Sequence, residues 1–212
     1  MATRHLSVQP ADQNSRKRFL DAALAVLTDR GVAGLTVRGV AEAAGASTIT
    51  VYTRFGGRTG LLDALYERAF DLMREQLLDV PPETEDGLAD LLEVALAYRR
   101  FALENPARYA LMYERSVHDF DPDPELRKAV MRTTFVMFVD KIRRISRPGA
   151  DLQQLGYLLW TSMHGLVSVE LTMRSQTPLS DWFIENTDEA NEDVYRTGVR
   201  AMCTGLGLRL RD

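Results

Sequence analysis

The stretch from residue 34 to residue 58 constrains the fold more than any other part of the chain. Thr36 is a residue type that caps helix N-termini, and a helical pattern follows over residues 37–44. Ser47 offers a second N-cap, and the helix that follows it in the chain is predicted to end at residue 54 or 55. The stretch therefore predicts two short helices joined by a tight turn.

The two short helices carry their apolar residues at helical spacing. In the first, an i, i+3, i+4, i+7 stripe is formed by Val37, Val40, Ala41 and Ala44. In the second, Val51 and Phe55 are four residues apart and face inward, whereas Thr48 and Tyr52 face outward. Gly45 between the helices allows a sharp reversal. One side of the pair is thus predicted to pack on a core and the other to stay open.

Helical periodicity continues along the rest of the chain, and no alternating strand pattern of useful length occurs. Prolines and glycines separate the segments, most clearly at Pro81 and Pro82. The pattern predicts an all-α protein of about nine helices, with an N-terminal three-helix helix-turn-helix domain and a C-terminal helical domain. Besides the two short helices, the predicted segments cover residues 15–30, 58–78, 87–104, 106–117, 124–146, 151–174 and 187–206.

We expect three regions along the chain. Residues 1–14 are polar and aperiodic and are predicted to form a disordered arm. Residues 15–60 hold the three-helix domain, and residues 61–212 hold the regulatory and dimerisation helices.

Charge is distributed unevenly over the 212 residues. Residues 1–60 hold eight Lys or Arg against four Asp or Glu, a net charge of +4. The remaining residues carry a net charge of −8, which gives the total of −4 for the chain. A basic first third on an acidic body directs a polyanion toward one end of the molecule.

The composition also indicates the compartment. Cys203 is the only cysteine, which excludes an internal disulfide and favours a reducing environment. The N-terminus lacks the apolar core of a signal peptide. Residues 152–169 carry no formal charge but hold too many polar side chains for a lipid-facing helix. We expect a soluble cytoplasmic protein without membrane association.

The outward face of the second short helix has the chemistry of DNA recognition. Its predicted members are small, hydrogen-bonding or cationic: Thr48, Thr50, Tyr52, Thr53 and Arg54. Arginine pairs with guanine, threonine offers a hydroxyl and a methyl group, and tyrosine reaches phosphate. Helix N-termini at Thr36 and Arg58 can offer backbone N–H groups to phosphates. The pattern favours a helix seated in the major groove.

Residues 15–66 resemble the DNA-binding domain of the tetracycline-repressor (TetR) family of bacterial transcriptional regulators. The resemblance is carried by residues 19–23, 31–38, 40–47 and 52–62. It implies base or groove contacts from Arg38, Thr48, Thr50, Thr53 and Arg54, and phosphate contacts from Thr36, Ser47, Tyr52 and Arg58. Three residues depart from the family pattern. Gly39 replaces an acid or long polar residue, Arg54 replaces a histidine or another aromatic, and Arg58 replaces a lysine while keeping the charge.

A weaker resemblance covers the remainder. Residues 101–109 and the string from Trp160 to Leu166 are similar to the C-terminal domain of a TetR subgroup with a Trp-His-Gly signature. The resemblance implies a helical ligand pocket and a homodimer held by the last two long helices. Two-fold symmetry would face a palindromic operator. The uncharged residues 152–169 and Gly165 agree with close helix contact.

A pocket of this kind would take an unknown, largely apolar small-molecule effector. Its candidate residues are aromatic groups, a methionine and a histidine: Tyr98, Phe101, Tyr109, Met112, Tyr113, Phe135, Phe138, Trp160 and His164. Side chains of these types at helical spacing also form ordinary cores, and that alternative stays open.

The function predicted is a ligand-responsive, DNA-binding transcriptional regulator, most simply a repressor released by a small molecule. An architectural or nucleoid-associated DNA-binding protein of the same fold is the alternative. An enzyme is not expected, because the three histidines and one cysteine lack zinc-site spacing and residues 56–59 do not match a phosphate-binding loop. No metal or cofactor is predicted.

Overall fold

A computed structural model describes residues 10–114, 117–181 and 183–208, and this part of the chain is all-α, as the sequence predicts. The nine α-helices there are α1 (Pro10–Arg30), α2 (Val37–Ala43), α3 (Thr48–Phe55), α4 (Arg58–Leu78), α5 (Gly87–Glu104), α6 (Pro106–Tyr113), α7 (Pro124–Ile145), α8 (Leu152–Ser175) and α9 (Asp188–Gly205). They form two compact units. The first unit comprises residues up to Phe70 together with Ala107–Arg127, and the second unit comprises Asp71–Pro106 together with the residues from Lys128 onward.

Most helix limits lie within a residue or two of the predicted ones, and two differ by more. Helix α1 begins at Pro10 rather than at residue 15, because proline is accepted in the first helical turn. Residues 10–14 are therefore helical rather than part of a disordered arm, while residues 1–9 lie outside the described part. Helix α6 ends at Tyr113 instead of residue 117. Val117, beyond the end of this helix, is buried in the core of the first unit.

The core of the first unit fixes the three N-terminal helices on one another. Phe19 of α1 is fully buried and meets the Phe55 ring of α3 edge to face, with 5.9 Å between the ring centroids. The Arg16 guanidinium lies over the same Phe55 ring, 5.1 Å from its centroid. Further side chains of α1, α2, α3 and α4 surround this pair, with Leu111 and Val117 of the 107–127 segment also buried in the same core. The segment 61–70 and the segment 107–127, which the sequence assigned to the regulatory domain, thus pack with the helix-turn-helix.

The second unit is built around α5, whose side chains are buried on nearly every face. Helices α8 and α9 pack against it and against each other. Arg99 of α5 forms a bidentate ion pair with Glu170 of α8, at 2.8 Å from Nε and 2.7 Å from Nη2, and both side chains are buried. The Tyr195 hydroxyl of α9 donates to the Ala95 carbonyl oxygen at 2.9 Å. The charges of Arg99 and Glu170 are tolerated in the interior because each has the other as a partner.

A second polar cluster joins the beginning of α5 to the end of α7. The buried Asp90 carboxylate accepts hydrogen bonds from the Thr84 backbone N–H and hydroxyl and from the Arg144 guanidinium. Burial by itself raises the pKa of Asp90, but the hydrogen bonds from Arg144 and Thr84 outweigh it and hold the pKa below its ordinary value. The loop before α5 is thereby tied to α7.

Candidate nucleic-acid interface

Helix α2 begins at a capped and closely packed turn. Thr36 is its N-cap, and the Thr36 hydroxyl accepts from the Gly39 backbone N–H at 3.0 Å. A Cβ at Gly39 would lie 2.8 Å from the Gly34 carbonyl oxygen and 3.1 Å from the Thr36 hydroxyl. Gly39, which departs from the family pattern, therefore lets the 32–34 turn approach α2 more closely than any side chain would allow.

The turn between α2 and α3 is held by its own backbone. The Gly45 N–H donates to the Glu42 carbonyl, and the Ala46 N–H donates to the Ala41 carbonyl at 2.9 Å. Gly45 has φ +59°, a left-handed conformation that ends a helix at low cost in glycine. The reversal predicted at this residue is confirmed, and it sets the angle at which α3 leaves α2.

The rotation of α3 about its axis decides which side chains are outward. Val51 is fully buried and Phe55 nearly so, as predicted. The opposite side exposes Thr48, Ile49, Tyr52 and Thr53, whereas Thr50 and Arg54 are only half-exposed. Thr50 and Arg54 of the predicted exposed set are thus partly covered, because they flank the buried pair and part of each side chain lies against the protein.

Hydroxyl groups near the start of α3 are partly engaged within the helix. Ser47 stands at the N-cap position but makes no cap hydrogen bond to the backbone. Its hydroxyl instead lies 3.1 Å from the Thr50 hydroxyl. The Thr53 hydroxyl donates to the Ile49 carbonyl oxygen, so in this conformation it can only accept from a partner. Ser47 as a side-chain cap is thus a prediction that the structure does not support.

Two glycines form the turn from α3 into α4. Gly56 has φ +73° and caps α3 through its N–H to the Tyr52 carbonyl, and Gly57 has φ +120°. A Cβ at Gly57 would lie 3.4 Å from the Tyr52 ring. The turn delivers Arg58 as the exposed first residue of α4, close in the chain to the outward Tyr52. A cation, a phenol and the N-terminus of a long helix suit phosphate binding.

Arg38 projects from the outer side of α2. Its side chain is 84% exposed, and its Nε donates to Glu42 at 2.8 Å one helical turn later. The hydrogen bond and charge of Glu42 raise the pKa of Arg38, so the guanidinium stays protonated. The Nε contact uses one N–H of a group that has five donors. Arg38 can therefore reach DNA while it is still held by Glu42.

Ile49 is the outward residue that the sequence analysis missed. It is 75% exposed, the most exposed large apolar side chain described in the first unit. Its register could have identified it, because it lies two residues before the buried Val51 and so falls off the inward i, i+4 stripe.

The nine residues predicted to line a pocket are mostly core residues. Tyr109, Met112 and Tyr113 belong to the first unit and the other six belong to the second. Tyr98, Phe101, Tyr109, Met112 and Phe138 are buried, while Tyr113, Phe135, Trp160 and His164 are half-buried. The Tyr98 and Phe138 rings meet at 6.3 Å, and those of Trp160 and His164 at 6.0 Å. A described cleft of about 300 Å³ lies elsewhere, at the α8–α9 loop, and is lined by none of the nine.

Helix α8 has one buried side and one open side. The buried side is formed by Gly156, Leu159, Met163, Val167 and Glu170. The open side exposes apolar and small residues at the same helical spacing, among them Leu158, Gly165 and Val169, of which Val169 is 64% exposed. A Cβ at Gly165 would meet nothing within 4 Å. The prediction that residues 152–169 are buried between protein surfaces thus holds for one side of the helix within a single chain.

No group of three or more His, Cys, Asp or Glu side chains in the described part of the chain is placed to hold a metal ion. No described helix is long and apolar enough to cross a membrane.

The fold and the arrangement of α2 and α3 are those of a helix-turn-helix protein. Two family descriptions match the chain: "Bacterial regulatory proteins, tetR family" over residues 19–65, and "Tetracyclin repressor-like, C-terminal domain" over residues 91–188. The chain belongs to the TetR family, as the resemblance implies. Assignment to the Trp-His-Gly subgroup stays a prediction.

Curated relatives are transcriptional regulators. The HTH-type transcriptional regulator Rv1816 of Mycobacterium tuberculosis is 30% identical over 118 residues, which are 55% of this chain and 50% of the relative. The chain thus spans about half the length of that relative. The HTH-type transcriptional repressor AcnR of Corynebacterium efficiens is 28% identical over 191 residues, covering 83% of this chain and 93% of the relative.

Solved structures show the same fold over nearly the whole chain. The transcriptional regulator SCO7222, a TetR from Streptomyces coelicolor, has a TM-score of 0.66 at 17% identity, with 93% of this chain and 99% of that chain covered. A TetR family transcription regulator from Marinobacter aquaeolei has a TM-score of 0.66 at 21% identity, with 92% and 98% covered.

Proposed function

We propose that this protein is a transcriptional regulator that binds a palindromic DNA operator through α3. The observation that carries the proposal is the rotation of α3. Val51 and Phe55 fix the helix on the core, and the side that remains open carries hydrogen-bonding side chains. An α-helix presented in this way fits the major groove, where base edges are distinguishable.

The predicted DNA contacts divide into two kinds. Thr36, Ser47 and Arg58 lie at helix N-termini, and the Tyr52 ring lies beside Gly57, one residue before α4. All four would bind phosphates, which position the protein without reading sequence. Arg38, Thr48, Thr50, Thr53 and Arg54 would contact base edges or the groove, and Arg54 in particular would favour guanine. Substitutions in the first set weaken binding to all sequences, whereas those in the second set change sequence preference.

A homodimer would place two copies of α3 on one face of the DNA. The open side of α8 supports this assembly, because exposed Leu158 and Val169 beside Gly165 allow a second helix to approach closely. Two-fold symmetry would separate the recognition helices by about 34–36 Å, one turn of DNA. The operator would then be a palindrome with half-sites one turn apart.

Repression relieved by an effector is the proposed mode of regulation. It is supported by family membership and by the relative named as a repressor. The effector would be a largely apolar small molecule that favours a dimer whose recognition helices are wrongly spaced. Helix α4 belongs to the first unit up to Phe70 and to the second from Asp71, so a single element could carry such a change. We place the protein in the bacterial cytoplasm.

Recovery of the DNA fragments bound across the source genome tests this function. The full-length protein is cross-linked in cells, and the recovered fragments are sequenced. One or a few palindromic sites near promoters are expected. Hundreds of dispersed sites without a shared palindrome would contradict a local regulator and support an architectural protein of the same fold.

Substitutions test the division of contacts on the recovered site. Tyr52→Phe and Arg58→Ala should weaken binding to operator and scrambled DNA alike, and Arg58→Ala should reduce the salt dependence by about one phosphate contact. Thr50→Ala should change the preferred sequence instead. If Arg58→Ala weakened binding only to the operator, its assignment to phosphate would be wrong.

A further inference from the structure

We infer that Ile49 reads thymine through the C5-methyl group of the base. The inference rests on the proposed DNA binding by α3 and adds a specificity-determining residue that neither the sequence pattern nor the family resemblance identified. It follows from where Ile49 stands on the helix and from what its neighbours can do.

The position of Ile49 is fixed by the buried side of α3. Val51 is 0% exposed and Phe55 is 8% exposed, so the helix cannot rotate without breaking the Phe19–Phe55 contact. Ile49 is 75% exposed on the outward side. Its carbonyl oxygen accepts the Thr53 hydroxyl, which places Thr53 one turn further along the same side.

The Ile49 side chain buries only a small part of its surface within the described fold. It lowers helix propensity slightly and leaves apolar surface in water. The other long side chains that α3 does not bury carry polar groups: the exposed Tyr52 has a hydroxyl, and the half-exposed Arg54 has a guanidinium. An apolar group on a groove-facing helix has one matching partner among the base edges, the thymine methyl.

The neighbours of Ile49 strengthen this assignment. The Thr53 hydroxyl proton is used on the Ile49 carbonyl, and the Thr50 hydroxyl lies 3.1 Å from the Ser47 hydroxyl. The Thr53 hydroxyl therefore offers no free proton to the base edges, and one proton of the Ser47–Thr50 hydroxyl pair is used between the two. Apolar contact by Ile49 would supply part of the sequence discrimination that hydroxyl donors do not.

Deoxyuridine provides a direct test, because it differs from thymidine only in lacking the C5-methyl group. Each thymine of the recovered operator is replaced in turn by deoxyuridine, and dissociation constants are measured for wild type and for Ile49→Ala. At one thymine in each half-site, replacement should weaken wild-type binding about fourfold, which is the loss in affinity expected for one buried methyl group. The same replacement should leave Ile49→Ala binding unchanged.

A matched control comes from α7, where Val136 is also an exposed β-branched residue, at 47%. Val136→Ala should respond to every deoxyuridine as the wild type does. Because Ile49 and Val136 are exposed, both variants should keep the wild-type thermal midpoint.

Two outcomes separate this inference from the proposed function. If the wild type binds a palindromic operator but each deoxyuridine affects wild type and Ile49→Ala equally, the reading of thymine by Ile49 is refuted while DNA recognition stands. If the wild type selects no DNA sequence, both proposals fail.

Discussion

Gly39 shows how a single residue can run against its intrinsic helix propensity. Alanine is favoured over glycine within a helix by about 1 kcal/mol, so Gly39→Ala on propensity alone would stabilise α2. The added Cβ would, however, lie 2.8 Å from the Gly34 carbonyl oxygen, a backbone atom that cannot turn aside. Packing therefore reverses the sign of the effect.

We predict that Gly39→Ala lowers the free energy of unfolding by about 1–3 kcal/mol, the usual cost of overpacking. Urea denaturation monitored by circular dichroism measures this value. Gly205→Ala is the control, because a Cβ there meets nothing within 4 Å, and it should not destabilise. A gain in stability for Gly39→Ala would show that the 32–34 turn can move away.

At this scale the sequence identified residue types but not their surroundings. Thr36 was predictable as a cap because its position before an apolar stripe is local information. The half-burial of Thr50 and Arg54 was not predictable from the sequence. It depends on the rotation of α3 against Phe19, a residue some thirty positions away in the chain. The outward position of Ile49 depends on the same contact.

Individual helices of the second unit are joined by buried charges rather than by apolar contact alone. Arg99 of α5 is 4% exposed and Glu170 of α8 is 6% exposed in their side chains, and Glu170 also accepts from Arg174. Removing one partner leaves the other as a buried charge with fewer hydrogen bonds, whereas removing both partners leaves no buried charge at this position.

We predict that Arg99→Met lowers the free energy of unfolding by about 3 kcal/mol or more. The double variant Arg99→Met/Glu170→Leu should recover much of that loss, as measured by urea denaturation. The exposed pair of Lys17 and Asp21 gives the control, and Lys17→Met should cost under about 1 kcal/mol. Equal losses for the Arg99 and Lys17 variants would contradict a desolvated pair.

The attachment of the α5 N-terminus to α7 should respond to acid. The pKa of Asp90 is lower in the folded protein than in the unfolded chain, so the ionised carboxylate stabilises the fold at neutral pH. This stabilisation is lost as the pH falls below the unfolded-state pKa of about 3.9 and through the folded-state pKa. Asp90→Asn should be less stable than wild type at pH 7, and the difference should shrink below about pH 4. Urea midpoints across that range, with the exposed Asp79→Asn as control, measure this. A constant difference at all pH values would exclude Asp90 as the source.

Helix limits were the most predictable feature at the scale of elements. Prolines, glycines and capping residues mark them locally, as at Arg58 for α4 and Asp86 before α5. Partners between helices were not predictable, because the Arg99–Glu170 pair joins residues 71 positions apart and no local pattern reports it.

The whole molecule is proposed to act as a dimer, and the open side of α8 is the place to test it. Val169→Glu would put a charge into the proposed contact and should yield a monomer near 23.9 kDa by light scattering, whereas the wild type should have twice that mass. Operator affinity should fall with it, since both half-sites are needed. Val136→Glu on α7 should stay dimeric. A dimeric Val169→Glu would place the interface elsewhere.

Sequence recognition by the outward side of α3 is tested most directly by the ratio of operator affinity to scrambled-DNA affinity. Fluorescence anisotropy titrations should give the wild type a ratio of about a thousand or more. Arg54→Ala and Thr48→Ala should each lower that ratio, by at least about fivefold for a lost guanine contact, while affinity for scrambled DNA changes less. An unchanged ratio in both variants would contradict recognition through α3.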